Sequence, residues 1–165
     1  MKTVFFVRHA KSSWDHPSLR DIDRPLSKRG ERDAPFMGKL LRGQGIQPDR
    51  LISSPAKRAF TTARHFAKAF GIPEEEVEVD KRIYDAYPED ILDIVQELPE
   101  DYSVVLLFGH NPTFTGVANL FTEDYISNVP TCGIFRIDAD INSWPDFREG
   151  HGRLAEYYFP KQYFD

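Results

Sequence analysis

The apolar run Thr3-Val4-Phe5-Phe6-Val7 stops abruptly at Arg8-His9-Ala10. No other feature constrains the chain as much. A short run rich in β-branched and aromatic residues predicts a buried strand. Open α/β sheets bind ligands just past the carboxyl ends of their strands, so Arg8 and His9 would stand at a ligand-binding edge. Arginine clamps phosphate through paired hydrogen bonds, and a neutral imidazole nitrogen can attack phosphorus. The junction therefore suggests a histidine that accepts a phosphoryl group.

The rest of the chain repeats the strand-then-turn pattern. Ser27 is placed to cap a helix running to about Gln44, with Phe36, Leu40 and Leu41 on its apolar face. Pro35 argues against that helix being continuous. Arg50 to Ser53 reads as a short strand. Ser54-Pro55 then reads as an N-cap and a first-turn proline, opening a helix that runs to Phe70 and stops at Gly71. Glu76 to Val79 is a strand candidate, and Pro88 opens a helix carrying Ile91, Leu92, Val95 and Leu98. Ser103 to Phe108 is the clearest buried strand; Gly109-His110-Asn111-Pro112 and a further helix start follow it. Gly133 to Ile137 and Leu154 to Phe159 are the last strand candidates. Strands alternating with helices predict a three-layer α/β fold, a mostly parallel central sheet with helices on both faces. Residues 1–165 are read as one domain. Residues 10–26 form a polar loop too long for a simple connector, as expected of one that covers a site.

Composition narrows the function classes. Cys132 is the only cysteine, which excludes an internal disulfide and a cysteine-rich metal cluster. There is no signal-like start and no apolar run near about 18 residues, so a cytoplasmic protein without a membrane partner is expected. The net charge of −5 hides a split. Residues 1–64 hold 14 Lys/Arg against 6 Asp/Glu, and residues 65–165 hold 7 against 20. No basic run with interleaved aromatics points to nucleic acid. The positive charges flank Arg8-His9 and Arg58, where they would draw in a phosphorylated substrate.

Three strands thus end in chemically loaded turns: Arg8-His9, then Ser53-Ser54-Pro55 with Arg58, then Gly109-His110-Asn111. In a parallel sheet those ends meet along one edge. Two of the turns also open helices, whose free backbone N–H groups favour anions. A two-histidine zinc site lacks a third ligand of evident spacing and would have arginines beside it, so no metal and no cofactor are expected. His16, His65 and His151 have no such context and read as surface or packing residues.

Arg8-His9, Ser54-Pro55-x-x-Arg58-Ala59-x-x-Thr62-Ala63 and Gly109-His110 resemble the motifs of the histidine phosphatase superfamily, which includes the cofactor-dependent phosphoglycerate mutases. The short chain and Asp23-Arg24-Pro25-Leu26-Ser27-x-x-Gly30 resemble its SixA-type phosphohistidine phosphatase branch. The resemblance spans about residues 2–113. It implies that His9 is the nucleophile, carrying a phosphohistidine intermediate. Arg8 and Arg58 would bind the phosphoryl oxygens, and His110 would donate to an equatorial one. Ser54 and Asn111 would contact the phosphate or shape its loops. Apart from the resemblance, Arg24 is read as lining the pocket, with solvation of the long loop as the alternative.

Two departures stand out. Many members supply a Glu as proton donor to the leaving group, and no evident equivalent exists here; Asp85 is the candidate. An alcohol leaving group needs that proton, whereas imidazole, with a pKa near ~6.5, leaves far more easily. The expected substrate is therefore phosphohistidine on a protein, such as a phosphotransfer domain, rather than a sugar phosphate. The alternatives are a phosphatase for small phosphate esters or anhydrides and a non-catalytic phosphate-binding module. The first motif also reads Arg-His-Ala in place of the commoner Arg-His-Gly, a change expected to leave the chemistry intact.

Overall fold

The computed structural model describes residues 1–164. Six strands form one sheet: β1 (Lys2–Arg8), β2 (Arg50–Ser53), β3 (Glu78–Val79), β4 (Val104–Gly109), β5 (Ile134–Ala139) and β6 (Gly152–Tyr158). Their spatial order is β3-β2-β4-β1-β5-β6. β1, β2, β3 and β4 pair in parallel, and only β5 runs against the rest, pairing antiparallel with both β1 and β6. The sheet is mixed but mostly parallel.

Four helices, α1 (Lys28–Arg42), α2 (Lys57–Phe70), α3 (Pro88–Gln96) and α4 (Thr113–Leu120), cover its two faces. The period of two along β1 decides which side chain meets which layer. Val4 and Phe6 join Val105 and Leu107 in a core closed by Ile91, Val95, Phe114 and Val117 of α3 and α4. Phe5 and Val7 join Leu106 and Phe108 in a second core closed by Met37, Leu41, Ala63 and Phe66 of α1 and α2. Phe6 stacks on Phe135 with ring centroids 5.0 Å apart. Both faces of β1 being buried fixes its register, and with it the level at which His9 leaves the sheet.

Three local expectations change. α1 runs unbroken through Pro35. Ala34, Met37 and Leu41 bury one face of it against the second core, and this packing outweighs one missing backbone donor. α2 begins at Lys57 with Ala56 as its cap residue, so Ser54 is not the N-cap. Ser54 Oγ accepts from Ala56 N at 3.1 Å and makes a long-range bond described below. β3 is only two residues long, because Glu74–Glu76 forms a short 3-10 turn instead of extended chain. The stop of α2 at Gly71 holds, at φ 70°.

Candidate active site

Strand register builds the site. Arg8 of β1 pairs with Gly109 of β4, and Ser53 of β2 pairs with Phe108. The next residue in each case is His9, His110 or Ser54, so the three loaded turns leave the sheet at one level. His9 N bonds Gly109 O at 3.0 Å, and Ser54 N bonds Phe108 O at 3.0 Å, continuing the ladder one step past the strands. Gly109 leaves no room for a side chain. A Cβ there would lie 2.6 Å from the Phe114 ring and 2.9 Å from Ile83.

His9 is buried, and its Nδ1 lies 2.7 Å from the Ala10 carbonyl. A carbonyl only accepts, so the ring proton sits on Nδ1 and the lone pair on Nε2. Thr62 of α2 fixes the acceptor. Its Oγ1 accepts from Ala10 N at 3.0 Å and donates to Arg58 O at 2.8 Å. The Arg58-x-x-x-Thr62 spacing is one helical turn, so the turn that carries the guanidinium also latches the loop that follows His9. Burial pushes the His9 pKa down to about 3, and the charges of His110, Arg58 and Arg8 add to this against the Ala10 bond. The ring is neutral at pH 7.

The other predicted groups gather around it. The His9 and His110 ring centroids are 5.3 Å apart. His110 Nε2 lies 2.8 Å from Ser54 Oγ. With the hydroxyl proton directed at Nε2, the ring proton lies on Nδ1. Burial, then Arg58, lowers the His110 pKa to about 4. Arg8 donates Nη1 to Val129 O at 2.9 Å, and burial with Arg58 nearby lowers its pKa. Arg58 donates Nη1 to the Asp21 main-chain oxygen at 2.7 Å and Nη2 to the Asp21 carboxylate at 2.9 Å. Among the described residues, the buried side-chain polar atoms without a partner are Arg8 Nε, Arg58 Nε and His110 Nδ1. Unpaired buried groups are rare and costly, and here all three belong to the predicted cradle. They are what an oxyanion would satisfy.

Asp21 and Tyr84 were not foreseen. Residues 10–26 fold over the site with a 3-10 turn at Asp21–Asp23. The Asp21 carboxylate accepts from Tyr84 Oη (2.7 Å), Arg58 Nη2 (2.9 Å) and Arg24 Nε (3.1 Å). The Tyr84 bond, then those to Arg58 and Arg24, holds its pKa down at about 2. The Tyr84 ring also packs edge-on against His110, 5.5 Å between centroids. The only sequence signal for Asp21 was its place one turn before Arg24.

Arg24 sits behind Asp21. It donates to Ser12 Oγ at 2.7 Å and stacks on the Trp14 ring at 3.7 Å. It is not on the cleft wall, though its charge reaches His110. Asn111 shapes a loop. Its Nδ2 donates to Val129 O at 2.9 Å, the carbonyl that also holds Arg8, and its Oδ1 accepts from Thr115 N at 3.1 Å. Asp85, at φ 59°, is exposed and lines a cleft of about 620 Å³ together with Asp21, Arg58, Tyr84 and His110. His65 lies away from the site and meets Glu31 at 2.9 Å. Cys132 is fully buried, and burial pushes its thiol pKa up. Among the described residues, no group of three or more His, Cys, Asp or Glu is placed to hold a metal ion. No helix among them is long and apolar enough to cross a membrane.

The segment from Asp23 to Gly30 has a packing reason. Ser27 N and Ser27 Oγ both donate to Lys11 O, at 2.8 and 3.1 Å, and Ser27 Oγ accepts from Gly30 N at 3.2 Å. A Cβ on Gly30 would stand 2.2 Å from that same Lys11 oxygen. The first turn of α1 is thus pressed against the loop that leaves His9.

Comparison with known proteins agrees with this geometry. A chloroplast protein from Arabidopsis thaliana, of unassigned function, is 32% identical over 153 residues, covering 88% of this chain and 70% of its own. The crystal structure of a candidate phosphohistidine phosphatase SixA from Agrobacterium tumefaciens superposes with a TM-score of 0.80 at 28% identity, covering 96% of this chain and 98% of that one. A second such candidate, from Nakamurella multipartitia, gives 0.81 at 26% identity, covering 96% of each. The profile of the histidine phosphatase superfamily, branch 1, matches residues 4–119. With the profile covering most of the chain and its motif residues gathered at one sheet edge, the chain belongs to the histidine phosphatase superfamily.

Proposed function

We propose that this chain is a metal-independent phosphatase that removes the phosphoryl group from phosphohistidine on a protein, through a covalent phosphohistidine on His9. The observation that carries the reading is the state of His9: a neutral ring, its proton held on Nδ1 by Ala10 O, its Nε2 lone pair free. Nε2 attacks phosphorus, the bond from phosphorus to the substrate ring nitrogen breaks, and that nitrogen keeps the electron pair. Water then displaces Nε2 and releases phosphate. The unpaired N–H groups of Arg8 and Arg58, with His110 Nδ1, offset charge on the transferring group throughout. These side chains supply the positive field that a metal would otherwise bring. The substrate is identified by its leaving group. Asp21 is ionised and cannot donate a proton at pH 7, which favours a leaving group that needs none.

The test is a paired turnover assay at neutral pH with a chelator present. It compares a phosphohistidine-bearing phosphotransfer domain with an aryl phosphate, for wild type and His9→Ala. Release from phosphohistidine that disappears in His9→Ala supports the reading, as does an acid-labile phosphoenzyme mapped to His9. Phosphate binding without any labelling of His9 would leave a binding module. A second reading, small phosphate esters or anhydrides, rests on Asp85 lining the cleft, where it would supply the proton an alcohol requires.

A further inference from the structure

The Asp21 carboxylate is more heavily bonded than a holder of Arg58 needs to be. The main-chain oxygen of Asp21 already takes Arg58 Nη1 at 2.7 Å. The side chain nonetheless lies on the cleft wall, half exposed, with Oδ2 on Arg58 of the phosphoryl cradle. Its two oxygens offer about four acceptor positions. Arg58 and Tyr84 use two on Oδ2, and Arg24 uses one on Oδ1. One acceptor position on Oδ1 remains. A carboxylate in a phosphate-binding cleft repels an anionic substrate and opposes charge building on an alkoxide. It therefore suits a leaving group that carries an N–H.

Resting on the phosphohistidine reading above, the geometry points to Asp21 as the specificity-determining residue that accepts a hydrogen bond from the second ring nitrogen of the phosphorylated imidazole. A phosphorylated imidazole leaves as neutral imidazole only when its other nitrogen bears a proton; otherwise it must leave as an anion. Asp21 holds that N–H in place and favours the protonated ring. As His9 Nε2 bonds phosphorus, the P–N bond breaks and its electron pair returns to the departing ring nitrogen. The N–H facing Asp21 stays where it is, so no proton is transferred in the step. This accounts for a site with an ionised acid and no evident general acid. The titratable and charged groups facing Asp21 are Arg24 on its own loop, Arg58 on α2, Tyr84 and Asp85 after β3, and His110 after β4.

Asp21→Asn tests this. The amide keeps a carbonyl acceptor for Arg58, and the main-chain anchor is untouched. Wild type and variant are assayed on a phosphohistidine phosphotransfer domain and on an aryl phosphate, from pH 5 to 9, with vanadate inhibition read alongside. The expected result is a fall in kcat/KM on phosphohistidine of about 10²-fold, while aryl phosphate turnover holds or rises and vanadate inhibition tightens as the repelling charge beside Arg58 is removed. The descending limb of the phosphohistidine pH profile should also move down by about one unit, following the less protonated ring. Equal losses on both substrates, or weakened vanadate, would reduce Asp21 to a positioning residue for Arg58 and overturn the proposal. Undiminished phosphohistidine turnover would overturn it too. No phosphohistidine turnover by wild type would instead remove the functional reading, and this inference with it.

Discussion

Thr62→Val isolates the latch between α2 and the loop that follows His9. Valine has nearly the shape of threonine and a similar helix propensity, so neither a cavity nor a helix effect intrudes. What is lost is Oγ1, which accepts from Ala10 N at 3.0 Å and donates to Arg58 O at 2.8 Å. The Arg58 carbonyl keeps its acceptor role within the helix. The Ala10 N–H, on a fully buried residue, is left without a partner. An orphaned buried donor costs about 1–3 kcal/mol. For a chain of this size each kcal/mol shifts the midpoint by about 2–4 °C, so thermal unfolding should move down by about 2–12 °C. Activity should fall further than stability suggests, because Ala10 O fixes the His9 tautomer; a misplacement near 1 Å costs up to about 10²-fold. Thr62→Ser is the control, since it keeps Oγ and loses only a methyl group. Circular dichroism melts and phosphohistidine turnover on all three proteins decide the matter. If serine is the more damaging substitution, packing rather than the latch governs this position, and the reasoning fails.

Further expectations bear on charge, leaving group and backbone approach. Unfolded, His9 and His110 protonate near pH ~6.5; folded, they resist until about 3 and about 4. Between those values the unfolded state binds more protons, so stability falls as pH falls from 6.5 toward 4, by up to about 1.4 kcal/mol per pH unit for each ring. His9→Asn should flatten that slope in denaturant titrations; an unchanged slope would contradict the buried, neutral ring. Asp85→Asn should leave phosphohistidine turnover unchanged, and a strong loss on alkyl phosphates would favour the small-ester reading instead. Gly30→Ala should destabilise by about 1–3 kcal/mol through overpacking on Lys11 O, despite a helix-propensity gain of about 1 kcal/mol. A raised melting temperature would mean that the loop yields freely.

The sheet and the placing of Arg8, His9 and His110 along one of its edges were legible because each is announced locally. β1 and β4 are short apolar runs, and Arg8, His9 and His110 occupy the turns that end them. Ser54 was misread because Ser-Pro before a helix is a capping pattern, while its hydroxyl in fact meets His110, 56 residues away. Asp21 had only its place one turn before Arg24 to mark it. Its other partners lie 37 and 63 residues on, and an acid in a polar loop has no periodicity to point to them. Val129 escaped altogether, since it acts through a main-chain carbonyl that any residue would supply. Thr62 stood within a quoted motif, but its partner Ala10 belongs to another strand's turn. Pairings made across the sheet edge depend on topology, which residue patterns specify only indirectly.

The two arginines show how such an edge can be cationic and still rigid. Each donates one Nη to a main-chain carbonyl, Arg8 to Val129 and Arg58 to Asp21, and each leaves its Nε–H buried and unpaired. A main-chain anchor holds the guanidinium plane without neutralising it, which a carboxylate partner would do. Asp21 supplies both kinds of anchor to Arg58, and Arg8 has only the main-chain kind. The carboxylate therefore lowers the field of one cation and leaves the other at full strength. Nearby, His9 and His110 are kept neutral by burial and by the same positive charges. A phosphoryl group entering the cradle would find donors already oriented and a His9 ring already deprotonated at Nε2. The free energy of arranging them is then met in folding, not in the transition state.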